Sequence, residues 1–347
     1  MAVPSSGAVS IQDLVDEFGG STPHSISEYY RSGPLVPNVP TNSSIPTSGT
    51  VTFSDYYGAV NASFISASGG SIATSGDYKV HTFTSAATFT VNDAGNSAGS
   101  NSIEFLTVAG AGGSAQGGGG GAGGYRTNFP SPATGGLSVS AQGYPISVGA
   151  AGAPGNPSGF GAGANGGVST VSSITSAGGG GGGTFESPRT GSAGASGGGG
   201  SKNGGGGAGN TPPTSPPQGN AGGNSNPGSV DAGGGGGGAS AAGGNGSQSP
   251  HTAGAGGAGS PNSITGSAVT YAGGGGGSLQ GGPGGPAGAG GAGGGGSGAK
   301  SSGPGAAAAT AGTNGLGGGG GAGLPSPSTY HPAASGSGVV IIRYKFQ

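Results

Sequence analysis

Gly338-Val339-Val340-Ile341-Ile342-Arg343-Tyr344-Lys345-Phe346 closes the chain and carries its strongest strand signal. The other strand signals stand far upstream. Tyr78-Lys79-Val80-His81-Thr82-Phe83 and Thr88-Phe89-Thr90-Val91 alternate with period two on either side of Ser85-Ala86-Ala87, and Ser102–Val108 follows a turn segment over Asn92–Asn101. An apolar strand at the far end of the chain implies that it returns to pair with these. Residues 61–109 are therefore expected to form a β base completed by 338–346. The stretch 110–337 becomes one long excursion whose two ends meet there.

That excursion is dominated by glycine, 96 of the 347 residues. Unbroken runs stand at 117–121, 178–183, 197–200, 204–207, 233–238, 273–277, 293–296 and 317–321. Between 178 and 338 the large apolar residues are Phe185, Val230, Ile264, Val269, Tyr271, Leu279, Leu316, Leu324 and Tyr330. These cannot bury the area that normally offsets backbone ordering, at roughly 1–2 kcal/mol per residue. Glycine in the polyproline-II conformation makes no internal hydrogen bonds, so its N–H and C=O groups must find neighbours. Like helices packed side by side would supply them, with only glycine fitting inside. Collagen is excluded, because glycine does not recur strictly every third residue and Gly281–Pro286 breaks at Ala287. Pro-, Ser- and Asn-rich stretches punctuate the runs as turns, and Leu137–Val148 and Val168–Thr175 are candidate hairpins. The expected fold is mostly irregular, a polyglycine-II helix sandwich on a small β base, with a small α+β module in front.

That module, residues 1–60, contains a short repeat. Ser6-Gly7-Ala8-Val9-Ser10-Ile11-Gln12-Asp13-Leu14-Val15 recurs as Ser48-Gly49-Thr50-Val51-Thr52-Phe53-Ser54-Asp55-Tyr56-Tyr57. Ser10 with Asp13 predicts a capped helix start and Gly19-Gly20 its stop. Ser25 and Glu28 predict a second small helix over Glu28–Arg31. A unit of this size is marginal alone and is expected to lean on a partner.

Charge and composition exclude several classes. Only 5% of residues are charged, against the highly charged composition of most disordered tails. The net charge of −2 gives no drive toward nucleic acid. There are no cysteines, hence no disulfide or thiolate metal site. No signal peptide is legible, and no stretch approaches a membrane span. Lys202 and Lys300 do not complete a phosphate loop, and His24, His81, His251 and His331 lack metal-ligand spacing. Glu186 and Asp231 are the only carboxylates in the body, too few for a glycosidase pair. Asp93–Asn101 reads as a turn rather than a cation site. No enzyme, cofactor or metal is expected.

The rare aromatic and charged residues of the body are the candidates for binding: Phe185, Glu186, Arg189, His251, Tyr271, Tyr330 and His331. Aromatic faces and guanidinium forks suit sugar rings, phosphates or protein edges. Tyr125 and Tyr271 have an equally plain reading as caps on the glycine layers.

Residues FGGSTPHSISEYYRSGPLVP and IPTSGTVTFSDYYGA of the 1–60 segment resemble the N-terminal region of tailed-bacteriophage virion proteins of the baseplate and tail-fibre type. YKVHTFTSAATFTV, IEFLTVAGAGG, GGGGGAGGYRT and SGVVIIRYKF resemble the glycine-rich domain of such proteins. The whole is similar to tail-fibre tip adhesins built as polyglycine-II sandwiches, whose loops bind the host surface. The resemblance implies a virion tail protein, made in the host cytoplasm, that recognises a bacterial outer-membrane protein or polysaccharide. Its 1–60 module would attach to other tail, baseplate or fibre proteins through Ile11, Leu14, Phe18, Tyr29, Tyr30, Phe53, Tyr56 and Tyr57. It implies no membrane insertion. The alternatives are a purely architectural baseplate or capsid-decorating subunit and an extracellular glycine-rich matrix protein.

Overall fold

A computed structural model describes residues 3–130, 136–156, 161–226, 232–281, 285–301, 303, 305–325 and 329–347. Val230 and Asp231, and part of the Gly281–Pro286 stretch, lie outside them. In chain order come α1 (Ile11–Phe18), β1 (Ile65–Ser68), β2 (Ser71–Ser75), β3 (Tyr78–Phe83), β4 (Ala87–Ala94), β5 (Ser102–Val108), β6 (Tyr125–Thr127) and β7 (Leu137–Ser138). Then follow β8 (Gly143–Ser147), β9 (Ser169–Val171), β10 (Ile174–Ser176), β11 (Ser247–Gln248), β12 (His251–Thr252), β13 (Ser260–Asn262), β14 (Val269–Tyr271) and β15 (Val339–Lys345).

The C-terminal strand does return. β15 lies between β3 and β5, antiparallel to both, with Ile342 opposite His81 on one side and Phe105 on the other. The sheet runs β2-β3-β15-β5-β6, with β7 also pairing β5; a second sheet runs β1-β4-β8-β9-β10. Between the two sheets sits a core of Phe89, Val91, Ile146 and Val171 against Phe83, Ile103, Val340 and Ile342. Val339 and Ile341, on the opposite face of β15, pack with Leu106, Val108, Ile264 and Tyr271. Buried on both faces, β15 needs apolar residues at nearly every position, which is why it reads as an unbroken run.

The expectation of a polyglycine-II helix sandwich on a small β base is overturned. Among the described residues regular structure is mostly antiparallel β, 22% in strands against 6% helical, with a single α-helix. The physical reason is that scattered β-branched and aromatic residues of the body are recruited into sheets. Val171 and Ile174 join the second sheet through the β9–β10 hairpin, and Val269 and Tyr271 form a separate ribbon with β13. The Leu137–Val148 hairpin is not formed either, since β7 pairs with β5 and β8 with β4 and β9.

The glycine runs themselves lie outside helices and strands and are joined by backbone hydrogen bonds with a period of three. The N–H groups of Gly117, Gly120 and Gly123 donate to Gly323, Gly320 and Gly317. Those of Gly118, Gly121 and Gly124 donate to Gly183, Gly180 and Ala177, and those of Gly119 and Ala122 to Gly234 and Gly237. One run thus turns to three neighbours in succession. A Cβ on Gly118, Gly119, Gly120 or Gly121 would strike the carbonyl of Gly199, Gly275, Gly112 or Ser196. Ala122 is the exception, because its methyl faces the apolar cluster behind β15.

The run 204–207 separates crowding from composition. A Cβ on Gly206 would meet the Gly222 carbonyl, whereas one on Gly205 finds nothing nearer than Asn224 Oδ1 at 3.6 Å. Gly206→Ala should lower the unfolding midpoint clearly, and Gly205→Ala should leave it within about 0.5 kcal/mol or raise it slightly. Gly180→Val and Gly235→Val, against the carbonyls of Ser192 and Ala255, should be severe. Denaturant titration of the four variants checks this, and equal tolerance at 205 and 206 would mean the runs are linkers.

His81 is fully buried on β3. Its Nδ1 lies 2.7 Å from the Gly69 carbonyl, which can only accept, so Nε2 accepts from the Tyr344 hydroxyl at 3.2 Å. Burial, more than the neighbouring Lys79 charge, pulls its pKa below the ordinary 6.5. The unfolded chain then binds the proton more readily than the folded one, so stability should fall as pH drops below about 6.5 and be indifferent to His81 above it. Denaturant midpoints at pH 8 and pH 5 should differ less in His81→Gln than in the parent chain.

Candidate functional site

The period-three bonding places the turns at two opposite ends of the glycine lattice. Near the sheets, Ala109 N–H reaches Gly124 and Tyr125 pairs with Val108. At the far end the segments 109–115 and 117–124 are joined by a turn in which Ala115 N–H donates to Gly118. Gly117 and Gly118 there touch Gly323 and Gly183, and Gly183 N–H reaches Gly199. The segments that continue from Gly183, Gly199 and Gly323 therefore leave from neighbouring run ends. Ser278 N–H donates to Gly117, while Gly254 joins Gly233 and Gly277. This brings His251, which precedes Gly254, to the same end.

Phe185, Glu186, Arg189, His251, Tyr330 and His331 accordingly share the end remote from the sheets. Tyr271 does not. It is 4% exposed, packed among Ile264, Leu106 and Ile341 near the sheets, and burial raises its hydroxyl pKa. That packing is what the capping reading expects.

The best-defined part of the far end is built on the Arg189 carbonyl. That oxygen accepts from Ser201 N–H at 2.8 Å. A Cβ on either Gly183 or Gly204 would collide with it, so both must be glycine for the two turns to meet. Thr184 N–H donates to the Pro188 carbonyl and closes the first loop. Lys202 and Asn203 take left-handed backbone angles of 39° and 68°, which swings Lys202 over the Phe185 ring at 4.0 Å from its centre. Arg189 Nε donates to the Glu186 carbonyl at 3.0 Å, and Glu186 and Arg189 are exposed. The result is a cationic and aromatic surface on two tied turns. Lys202 was not among the sequence candidates. Its signal was available, since it is one of few cations in the body. Across the far end, Leu324 N–H donates to the Tyr330 carbonyl, and His331 is exposed. Lys300 is buried, and its backbone bridges to Leu279 and Ala307.

The 1–60 module reproduces its sequence repeat in space. Ser10 N–H donates to Asp13 Oδ2 at 2.7 Å and Thr52 N–H to Asp55 Oδ2 at 2.6 Å, so the same box opens α1 and the 3-10 turn Phe53–Tyr56. The Tyr57 hydroxyl donates to the Gly7 carbonyl at 2.7 Å, and the Tyr30 hydroxyl to that of Gly49. The second helix is a 3-10 turn over Ile26–Tyr29, not Glu28–Arg31, with Ser25 accepting from Ser27 N–H.

The proposed attachment residues divide sharply. Leu14, Phe18, Tyr29 and Tyr56 are the core of the module, packed with Val36 and Ile45. Their side chains are buried within the module itself. Burial, then the Asp55 carboxylate, pushes the Tyr56 hydroxyl up to about 12. Ile11 and Tyr30 are half-buried, while Phe53 and Tyr57 are exposed. Tyr30 also lines an open groove of about 580 Å³ with Glu28, Arg31, Pro34 and Leu35. Leu14→Ala should cost the module about 2–5 kcal/mol and Phe53→Ala within about 0.5 kcal/mol, as calorimetry of the full chain would resolve.

Among the described residues no helix is long and apolar enough to cross a membrane. Residues 83–345 match a family described as glycine-rich domain. The match covers well over half of the chain, and the chain belongs to that family. It starts at the end of β3 and stops at the end of β15, leaving the 1–60 module outside. No curated protein matches the chain, and no solved structure does.

Proposed function

We propose that this glycine-rich domain protein is a phage virion component of the tail-fibre or tail-tip type. It is made in the host cytoplasm and recognises a bacterial surface protein or polysaccharide through the loops at the far end of its lattice. Residues 1–60 hold it to other tail, baseplate or fibre proteins. The observation that supports this reading is the gathering of Phe185, Glu186, Arg189, Lys202, His251, Tyr330 and His331 at one end. The two large sheets meet the opposite end of the lattice, where Ala109 N–H reaches Gly124 and Tyr125 pairs with Val108. Loops held on a rigid scaffold lose little entropy on binding, and many copies per particle would multiply modest contacts. Lys202 stacked on Phe185 offers a preset cation for carboxylate or phosphate, and Arg189 a planar fork.

Virions carrying Phe185→Ala, Arg189→Ala, Lys202→Ala and His331→Ala together should assemble normally and adsorb at least tenfold more slowly. Deleting 1–60 should abolish incorporation into particles. Normal adsorption by the substituted virions would replace this reading with a purely architectural subunit.

A further inference from the structure

The two sheets part at one edge of the β unit, where β1 and β2, joined by Gly69-Gly70, are the outermost strands. Between them opens a groove of about 370 Å³ lined by Phe64, Ile65, Ala67, Ile72 and Phe346. Ile72 is 52% exposed, more than any other large apolar residue described. Among the described residues β2 pairs only with β3. Ser75 opposite Tyr78 closes the two-residue turn Gly76-Asp77. Hydrogen-bonded pairs alternate from such a closing pair, so Ile72 and Thr74 turn their backbone N–H and C=O outward. An exposed, uncharged strand edge of this kind is normally blunted or paired.

The groove also has a sign. Lys79, which lines it, stands with Nζ 4.5 Å from the Phe346 ring centre and donates to Thr74 Oγ1, while Lys345 belongs to the neighbouring pocket with Arg343 and Glu104. No carboxylate lines the groove. Of the nearest acids, Asp77 sits in the β2–β3 turn, and Asp93 on β4 accepts from Gly95 N–H. The β2 strand of a second copy, Ser71-Ile72-Ala73-Thr74-Ser75, carries no acid of its own to meet Lys79.

We propose that this edge is a docking groove for an extended acidic segment of another protein. The segment adds a strand to β2, sets alternate apolar side chains between the sheets and places a carboxylate at Lys79. Backbone pairing supplies affinity and the groove supplies specificity. The inference is independent of the receptor reading, since the groove belongs to the β unit and not to the far-end loops.

A fluorescein-labelled octapeptide of alternating Glu and Val, titrated into the full chain, tests it. Saturable binding is expected, weakening as salt rises, with a Lys–Val octapeptide at least tenfold weaker. Lys79→Gln should reduce affinity at least tenfold. Ile72→Pro, which removes an outward N–H that an edge strand can lose without breaking its ladder, should bind at least tenfold more weakly than Ile72→Ala. Hydrogen exchange on the unsubstituted chain guards against misfolded variants, because the peptide should protect the Ile72 and Thr74 amides. Equal binding of the two peptides, no binding, or unprotected amides would overturn the proposal. Self-association of the chain that Ile72→Pro abolishes would also overturn it, by giving the edge to a second copy.

Discussion

The hydrogen atom that glycine carries in place of Cβ is the condition on which the body depends. Around the run 117–124 lie the segments 109–115, 177–183, 197–199, 234–237, 275–278 and 317–323, each joined to it by backbone hydrogen bonds. Any side chain pointing toward them would occupy the place of a carbonyl. Apolar burial is replaced by peptide groups that satisfy one another, each bond worth about 1 kcal/mol net. Glycine loses more entropy on ordering than any other residue, so every lattice bond has to be made. This explains why the runs are glycine where a neighbour's carbonyl lies against Cα, while alanine enters where its methyl has room, as Ala122 does against the apolar cluster and Ala255 does at the surface. In Ala253–Gly259, Gly254 and Gly257 are buried and Ala255 is exposed.

A lattice of this kind cannot set its own register, because every glycine resembles the next. The β unit supplies what is missing. β5 runs straight into Ala109 and Gly110, and β15 leaves Gly338, whose N–H donates to Gly149. Ser169 Oγ donates to the Val108 carbonyl and accepts from Gly149 N–H, pinning a third segment at the same level. Far from the sheets, polar side chains take over. Ser335 Oγ donates to the Gly112 carbonyl and accepts from Gly320 N–H, and Asn165 Oδ1 accepts from Gly181 N–H. The few non-glycine residues inside the lattice are its alignment marks.

The strands that carry β-branched and aromatic runs were legible in the sequence, and with them the return of the C-terminus. The capping box repeat was legible too, because Ser10/Asp13 and Thr52/Asp55 are local interactions. The extent of the sheets was not. β8, β9 and β10 are short and polar on one face, and what makes them strands is a neighbour far away in the chain, as when Ile146 meets Ala87 and Val171. The same holds for the candidate residues. Tyr271 and Tyr330 look alike in sequence, each an aromatic in a poor background, and only the register of the runs sends one to the core and the other to the far end. Leu14, Phe18, Tyr29 and Tyr56 read as a sticky surface until the small module is seen to consume them.

The lattice also governs where chemistry can be placed. A residue whose Cβ would meet a neighbour's carbonyl is fixed as glycine, so new side chains enter at the turns, on the outermost segments and at open positions such as Gly205. The turns near the sheets are committed, with Tyr125 accepting from Asn262 Nδ2 and Gln218 Oε1 accepting from Ala177 N–H. Those at the far end bond chiefly to their own loop or to the next one. There Arg189 and Lys202 can change without disturbing a run, provided Gly183 and Gly204 remain to leave room for the Arg189 carbonyl. Variation is thereby confined to one end of the body by packing alone, before any ligand is considered.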